Sequence, residues 1–523
     1  MNFSMVDYVV FGLYFVLVVF LGLWVSREKR GHKKDSADYF LASKALPWWA
    51  IGASLIAANI SAEQFIGMCG SGYAIGLGIA SYEWMAALTL ILVAKYFLPI
   101  YLKEGIYTMP QLLEIRFDRR VRIGLAVFWL LLYIFVNLTS VMYLGALAIR
   151  TIVGIPLVWG ILGLAVFSAL YTIYGGLKAV AWTDVLQVLV LIGGGLVTTF
   201  FALQAIGDGN GILMGFKALL AQAPEKFDMI LNRSHPYYKD LPGIGVLVGG
   251  MWMANFFYWG CNQYITQRAL AAKNIKEAQR GLIFGGYLKL LTPLVVVIPG
   301  IVAYVLTREN PLSKPDEAYP WLLGQFVPVG VKGLAFAALI AAIVSSLSSM
   351  VNSTATIFSM DIYKQLINKK ATENELVLVG RIASVIALVV AVLIAPTLQT
   401  LEQAFQFIQE FTGFISPGIF AIFIFGLFWK RATATSAMWA ALLTIPLSLG
   451  IKFFLPAIPF LNRMGIVFVV LSSLVVLITL LDKGQADPKA FKLEKGLFKT
   501  DMAFNVGAIG ICAILAILYL RFW

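Results

Sequence analysis

The sequence has little charge and almost no histidine or cysteine. Only 13% of its 523 residues are charged, where a soluble domain carries about 25%. The two histidines, His32 and His235, fall between apolar runs, which leaves no histidine relay inside them. The three cysteines (Cys69, Cys261, Cys512) are far apart and match neither disulfide nor metal spacing. They read as small apolar fillers. There is no G-x-S-x-G, H-E-x-x-H or C-x-x-C, so an enzyme would lack a nucleophile–base pair or a metal site. No connection is long enough to be a soluble signalling domain.

Apolar sequence is what the chain has in quantity. It is 60% hydrophobic, with runs long enough to cross a bilayer from end to end. These properties predict an all-α polytopic membrane protein of about 14 transmembrane helices. The spans fall near 6–26, 48–69, 77–101, 122–150, 156–174, 180–206, 242–268, 279–307, 331–363, 377–396, 401–429, 434–454, 464–482 and 502–521. The first run, VDYVVFGLYFVLVVFLGLWV, has no basic n-region and no cleavage site, so it is expected to be retained.

The net charge of +13 follows membrane topology and does not point to nucleic acid. REKRGHKK (27–34), RFDRRVR (116–122), the Arg268–Arg280 loop, the NKK at 368–370, Lys430-Arg431 and 483–499 hold most of the basic residues. Placing them inside predicts that both termini are extracytoplasmic; the family resemblance given below implies that the membrane is the cell (inner) membrane. The polar connections 207–241 and 308–330 then lie outside and are expected to form short helices or lids.

Spans two to six and seven to eleven make two units of five. An odd number inverts the second unit relative to the first, the arithmetic of an inverted-topology repeat with its site at the midplane. The expected organisation is an N-terminal helix and basic loop (1–45), a first unit (46–207), an outer loop (208–241), a second unit (242–430) and three further helices (431–523). Each unit opens on an unusual segment. In the first, SLIAANISAEQ places Asn59, Ser61, Glu63 and Gln64 inside an apolar run. In the second, GVLVGGMWMANFFYWGCNQYI has glycines and a polar, aromatic middle.

A charge at bilayer depth costs at least about 2.5–3.5 kcal/mol on insertion scales. Glu83 and Lys289 are therefore read either as a structural ion pair or as the polar lining of a wet cavity. Gln64, Asn137, Asn255 and Gln409 are individually more often interhelical glue, but as a set of amides they suit a polyhydroxylated ligand. Tyr82, Tyr258, Trp259 and Phe405 offer flat faces for a sugar ring or ordinary packing. In AAIVSSLSSMVNSTAT, Ser345 and Ser346 either permit close packing or supply oxygens to Na⁺ beside an unwound helix.

SLIAANISAEQFIGM, SYEWMAA, YTIYGGLKAVAWTDVLQ, ANFFYWGCNQYITQR, AAIVSSLSSMVNSTATIFSMDIYK and AFQFIQEFTGFISPGIFAIF together resemble the sodium/solute symporter family, most of all its bacterial sodium/glucose (galactose) cotransporter branch. The resemblance spans nearly the whole chain. It implies a LeuT-like 5+5 inverted repeat with one extra N-terminal and three extra C-terminal helices, and Na⁺-coupled entry of a neutral hexose. It implies sugar contacts at Gln64, Glu83, Asn137, Asn255, Lys289 and Gln409. Tyr258 would stack on the ring as an inner gate with Met68 nearby, and Tyr82 and Phe405 would close the outer side. Sodium would sit among the carbonyls of Ala57, Ile60 and Ala342 and the hydroxyls of Ser345 and Ser346, with Asp184 on its exit route. Two positions depart from the pattern: Ala86, where the branch can carry serine, and Ser436, where the family often has glycine. The rival readings are a sodium symporter for another small polar solute such as an amino acid, sialic acid or polyol, a proton-coupled carrier, a channel, a membrane enzyme and a sensor.

Overall fold

The structure, a computed structural model, describes residues 4–27, 35–400, 404–482 and 487–523, without the side chains of 400–408. Among these residues twelve helices are long and apolar enough to cross a membrane. Each is hydrogen-bonded within itself, as a backbone in lipid must be. The protein's helices include α1 (Met5–Val25), α2 (Trp48–Asn59), α3 (Cys69–Ala74), α4 (Ser81–Leu92), α5 (Leu177–Ile206), α6 (Met251–Phe256), α7 (Gln263–Leu270), α8 (Ile275–Leu306), α9 (Val331–Ile357) and α10 (Ser416–Phe428).

The expected spans 48–69 and 242–268 are not continuous. The first is α2 and α3 joined through extended Ile60 (φ −75°, ψ 117°) and a wider, π-wound stretch, Glu63–Met68. The second is α6 and α7 joined through a π-wound stretch, Phe257–Cys261, and extended Asn262 (φ −81°, ψ 126°). Both lie in the protein interior, where a broken backbone can be satisfied by neighbours instead of facing lipid.

Local chemistry explains both breaks. Ser61 and Gln64 form a variant of the capping box. The Ser61 N–H donates to Gln64 Oε1 (2.8 Å), and Ser61 Oγ accepts from the Glu63 N–H (3.1 Å). SAEQ thus restarts the helix that ended at Asn59. At the second break Tyr133 from another helix does the capping. Its hydroxyl donates to Asn262 Oδ1 and accepts from the Tyr264 N–H at 3.4 Å.

Small residues let the broken helix press against α8. A Cβ on Gly52 would stand 2.6 Å from the Gly281 carbonyl, and one on Gly72 would stand 2.6 Å from that of Val297. Backbones this close are the usual mode of helix association in a bilayer. At the far end of α3, Gly76 (φ 106°, ψ −154°) turns the chain in a region open to glycine alone. A Cβ there would strike the backbone of Lys226. Lys226 itself, from the 207–241 connection, donates to the Ala74 carbonyl at 2.6 Å and caps the helix C-terminus.

The 308–330 connection lies over the same end of the broken helix. A Cβ on Gly70 would stand 2.7 Å from Asp316 Oδ1. Burial raises the Asp316 pKa from 3.8 to about 6, opposed by nearby Lys314 and assisted by Glu317. The folded protein therefore holds an extra proton in that window. Its contribution to stability is full below 3.8 and is lost as pH rises through about 6. The unfolding midpoint of detergent-solubilised protein is expected to fall between pH 4 and pH 7 by an amount that Asp316→Asn abolishes. Parallel pH profiles for the two proteins would refute this.

Candidate functional site

The two breaks face one another across a cavity of about 110 Å³, room for several waters or one compact polar solute. Gln64, Met68, Tyr82, Glu83, Ala86, Asn137, Asn255, Tyr258, Lys289, Ser346 and Gln409 all line it. Residues scattered over most of the chain are thus brought to one place. Phe405 lies outside the described side chains. The wider-wound stretches Glu63–Met68, Leu132–Leu138 and Phe257–Cys261 supply Gln64, Asn137 and Tyr258. Wider winding recurs at functional sites because it turns side chains and backbone groups out of helical register. No sequence period signals it.

Lys289 and Glu83 form a buried ion pair, and the same ammonium donates to Asn59 Oδ1. Lys289 Nζ also stands 5.1 Å from the centre of the Trp259 ring. The paired groups form part of the cavity wall. Asn59 belongs to the site too, although only its place in the opening motif pointed to it.

The amides differ in what they have left to offer. Gln64 Oε1 is engaged by the Ser61 N–H and hydroxyl, so what its side chain has left to offer is the NH₂ donor. Asn255 is engaged at both ends: its Nδ2 donates to the Met251 carbonyl (3.0 Å), and its Oδ1 accepts from Trp259 Nε1 (3.2 Å). Asn137 Oδ1 is buried without a partner among the described residues. The Tyr258 hydroxyl accepts from that of Tyr264 at 2.7 Å.

Beside the first break, the Ser346 hydroxyl on α9 reaches the Ala58 carbonyl (3.0 Å) and the Ile60 carbonyl (3.4 Å). The last carbonyls of α2 have no intrahelical partner and carry the negative end of its dipole. Free carbonyls plus a hydroxyl suit a hard cation that needs oxygen ligands. Ala57 and Ala342 are buried on the same two helices, but the carbonyls that Ser346 meets are those of Ala58 and Ile60.

Asp184 lies close to the Ser345 hydroxyl. It is fully buried, accepting from Ser345 (2.5 Å) and Ser54 (2.5 Å), with Arg268 Nη2 3.4 Å away. Arg268 corrects the sequence reading, which placed it at the start of a basic loop. It is 0% exposed on α7 and also donates to Ser54 Oγ (3.0 Å), Ser349 Oγ and the Tyr264 carbonyl. A buried Asp184 needs a counter-charge, and that need was the signal that would have found it.

Residues 39–444 match the profile of the Sodium:solute symporter family. The chain is 54% identical to a protein of Vibrio parahaemolyticus named Sodium/glucose cotransporter, over 99% of this chain and 98% of that one. It is 36% identical to the human Sodium/myo-inositol cotransporter 2, over 83% of this chain and 67% of that one. Among solved structures, a Na⁺-coupled sialic acid symporter in a substrate-bound outward-open state superimposes with a TM-score of 0.80 at 26% identity, covering 92% of this chain and 98% of that one.

Proposed function

The chain belongs to the sodium:solute symporter family, and on that premise we propose that it carries a neutral hexose, galactose or glucose, into the cell with Na⁺ by alternating access. The observation that carries this reading is the polar cavity at the two helix breaks. Gln64, Glu83, Asn137, Asn255, Lys289 and Gln409 are its sugar-facing polar groups. Tyr258 stacks on the ring and, with Met68, closes the inner side, while Tyr82 and Phe405 close the outer side. Sodium sits at the end of α2, with the carbonyls of Ala57, Ile60 and Ala342 and the hydroxyls of Ser345 and Ser346 as ligands. The Ser346 contacts support this placement and add the Ala58 carbonyl. Asp184, beneath Ser345, receives the ion as it leaves.

The units 46–207 and 242–430 are the two inverted repeats, and the broken helix that opens each one is the moving part. A lone cation in the pocket would favour a carboxylate solute. Here the ammonium of Lys289 is neutralised by Glu83, which favours a neutral one. Because α2 ends on the sodium carbonyls and Gln64 follows the same break, one segment touches both ligands. Each ligand then raises the population of the state that binds the other. The relative named for myo-inositol keeps a polyol as the second reading, with Ala86 in the cavity wall as the position to examine.

The test is uptake of labelled galactose, glucose and myo-inositol into proteoliposomes under inward Na⁺, K⁺ or H⁺ gradients. Hexose accumulation driven by Na⁺ alone is expected, and its absence overturns the hexose reading. In the same assay Ser346→Ala is expected to raise the Na⁺ concentration for half-maximal uptake roughly tenfold, about 1.4 kcal/mol. An unchanged Na⁺ dependence would remove Ser346 from the sodium site.

A further inference from the structure

We propose that the corner between the first two C-terminal helices is a clasp on the segment that carries Gln409, and that Glu410 is the positioning residue it holds. These helices are α11 (Ala434–Phe454) and α12 (Phe460–Leu481). The reading above leaves them without a role. The span they grip is itself broken, into a half-helix, Ala404–Gly413, and α10, with Phe414 and Ile415 between them. The Phe414 carbonyl at this break accepts from two hydroxyls of α11, Thr444 Oγ1 (3.2 Å) and Ser448 Oγ (3.0 Å).

Gln409 lines the cavity. Neighbours on a helix point about 100° apart, so Glu410 turns aside. Its Oε1 accepts from Arg463 Nη2 on α12 at 3.1 Å, and its Oε2 pairs with Lys452 Nζ on α11 at 2.8 Å. One carboxylate therefore bridges both helices. Lys452 lies in the last turn of α11, where the helix dipole favours a cation. Arg463 lies at the N-terminal end of α12, where the dipole opposes one, and its side chain is only 14% exposed. Glu410 supplies the anion that this arginine needs.

The same corner touches the second broken helix. Two residues before Arg463, the Leu461 carbonyl accepts from the Gly250 N–H (3.1 Å) at the head of α6, which carries Asn255. A Cβ on Gly250 would stand 2.0 Å from that carbonyl, and one on Gly413 would stand 3.1 Å from Phe460 Cε2. The stretch Phe460–Arg463 thus abuts two segments that bear on the cavity. Glycine contacts set how close they lie, and the Glu410 pairs set how the half-helix is turned. A segment held in its binding orientation has less freedom to lose when the solute arrives, which favours affinity. The assignment rests on the proposed contact between Gln409 and the hexose, and adds to it what holds that contact in place.

The experiment uses the full-length protein in proteoliposomes and reads initial Na⁺-driven uptake against hexose concentration. Glu410→Gln is expected to raise the concentration for half-maximal uptake roughly fivefold. Glu410→Asp keeps the charge and is expected to recover most of that loss. In a Gln409→Ala protein the same Glu410→Gln change is expected to shift half-saturation by less than about twofold, because the contact it positions is already gone. A full fivefold effect in that background, or none in the wild type, overturns the assignment. Amide hydrogen exchange of the purified protein needs no solute. Exchange over 404–413 is expected to quicken severalfold in Glu410→Gln while 416–428 keeps the wild-type rate. Unchanged exchange over 404–413 overturns the clasp whatever the solute. Absence of wild-type hexose uptake overturns the hexose reading alone, and the exchange result then decides the clasp.

Discussion

Replacing Arg268 with alanine is expected to destabilise the folded protein by about 3–5 kcal/mol and to abolish Na⁺-driven uptake. Arg268 and Asp184 are both fully buried, and removing the cation leaves an uncompensated carboxylate in the interior. The same guanidinium ties four helices together. It reaches Ser54 on α2, Asp184 on α5 and Ser349 on α9 from its own place on α7. Two of these, α2 and α7, belong to the broken helices. Arg268→Lys is expected to be intermediate, since an ammonium keeps the charge but not the planar fork. The double variant Arg268→Met, Asp184→Leu is expected to lose less stability than the two single changes added together. Unfolding midpoints of the four proteins in detergent close this cycle. An additive result would mean that the two charges do not depend on one another.

Replacing Lys289 with methionine is expected to lower initial uptake roughly a hundredfold or more, about 3 kcal/mol of lost interaction. The methionine fills the space but leaves Glu83 and Asn59 Oδ1 without their donor in the cavity wall. Lys289→Arg is expected to rescue little, because a planar guanidinium does not fit between those two acceptors and the Trp259 face. Glu83→Gln is expected to cost less, since an amide still accepts from the ammonium. Uptake rates read together with unfolding midpoints separate the two roles of the pair. A folded Lys289→Met protein with normal uptake would reduce Lys289 to a structural residue.

Some of this was legible from composition and local pattern. Bilayer-length apolar runs mark the spans because hydrocarbon imposes the same demand on every helix. The amides and the Glu83–Lys289 pair stood out because polar groups at that depth are costly. The first break was legible in ANISAEQ, where the serine and glutamine of a cap sit inside a membrane run. The second was harder, because the hydroxyl that caps Asn262 belongs to Tyr133 in a different helix.

Sequence by itself determined that this is a helical membrane protein, which family pattern it follows and which polar residues are too expensive to be accidental. These are properties of single segments in a known solvent. Tertiary structure alone decided how those residues are employed. It drew Arg268 out of a presumed loop and onto Asp184, 84 residues earlier in the chain. It engaged both ends of Asn255 while leaving Asn137 Oδ1 open to the cavity. It set Ser346 against Ala58 and Ile60, and it wound three helices wide beside the cavity. The physical reason is that a hydrogen-bonding group has more suitors in sequence than places to bind. Which of them is near enough is settled only when the helices have packed.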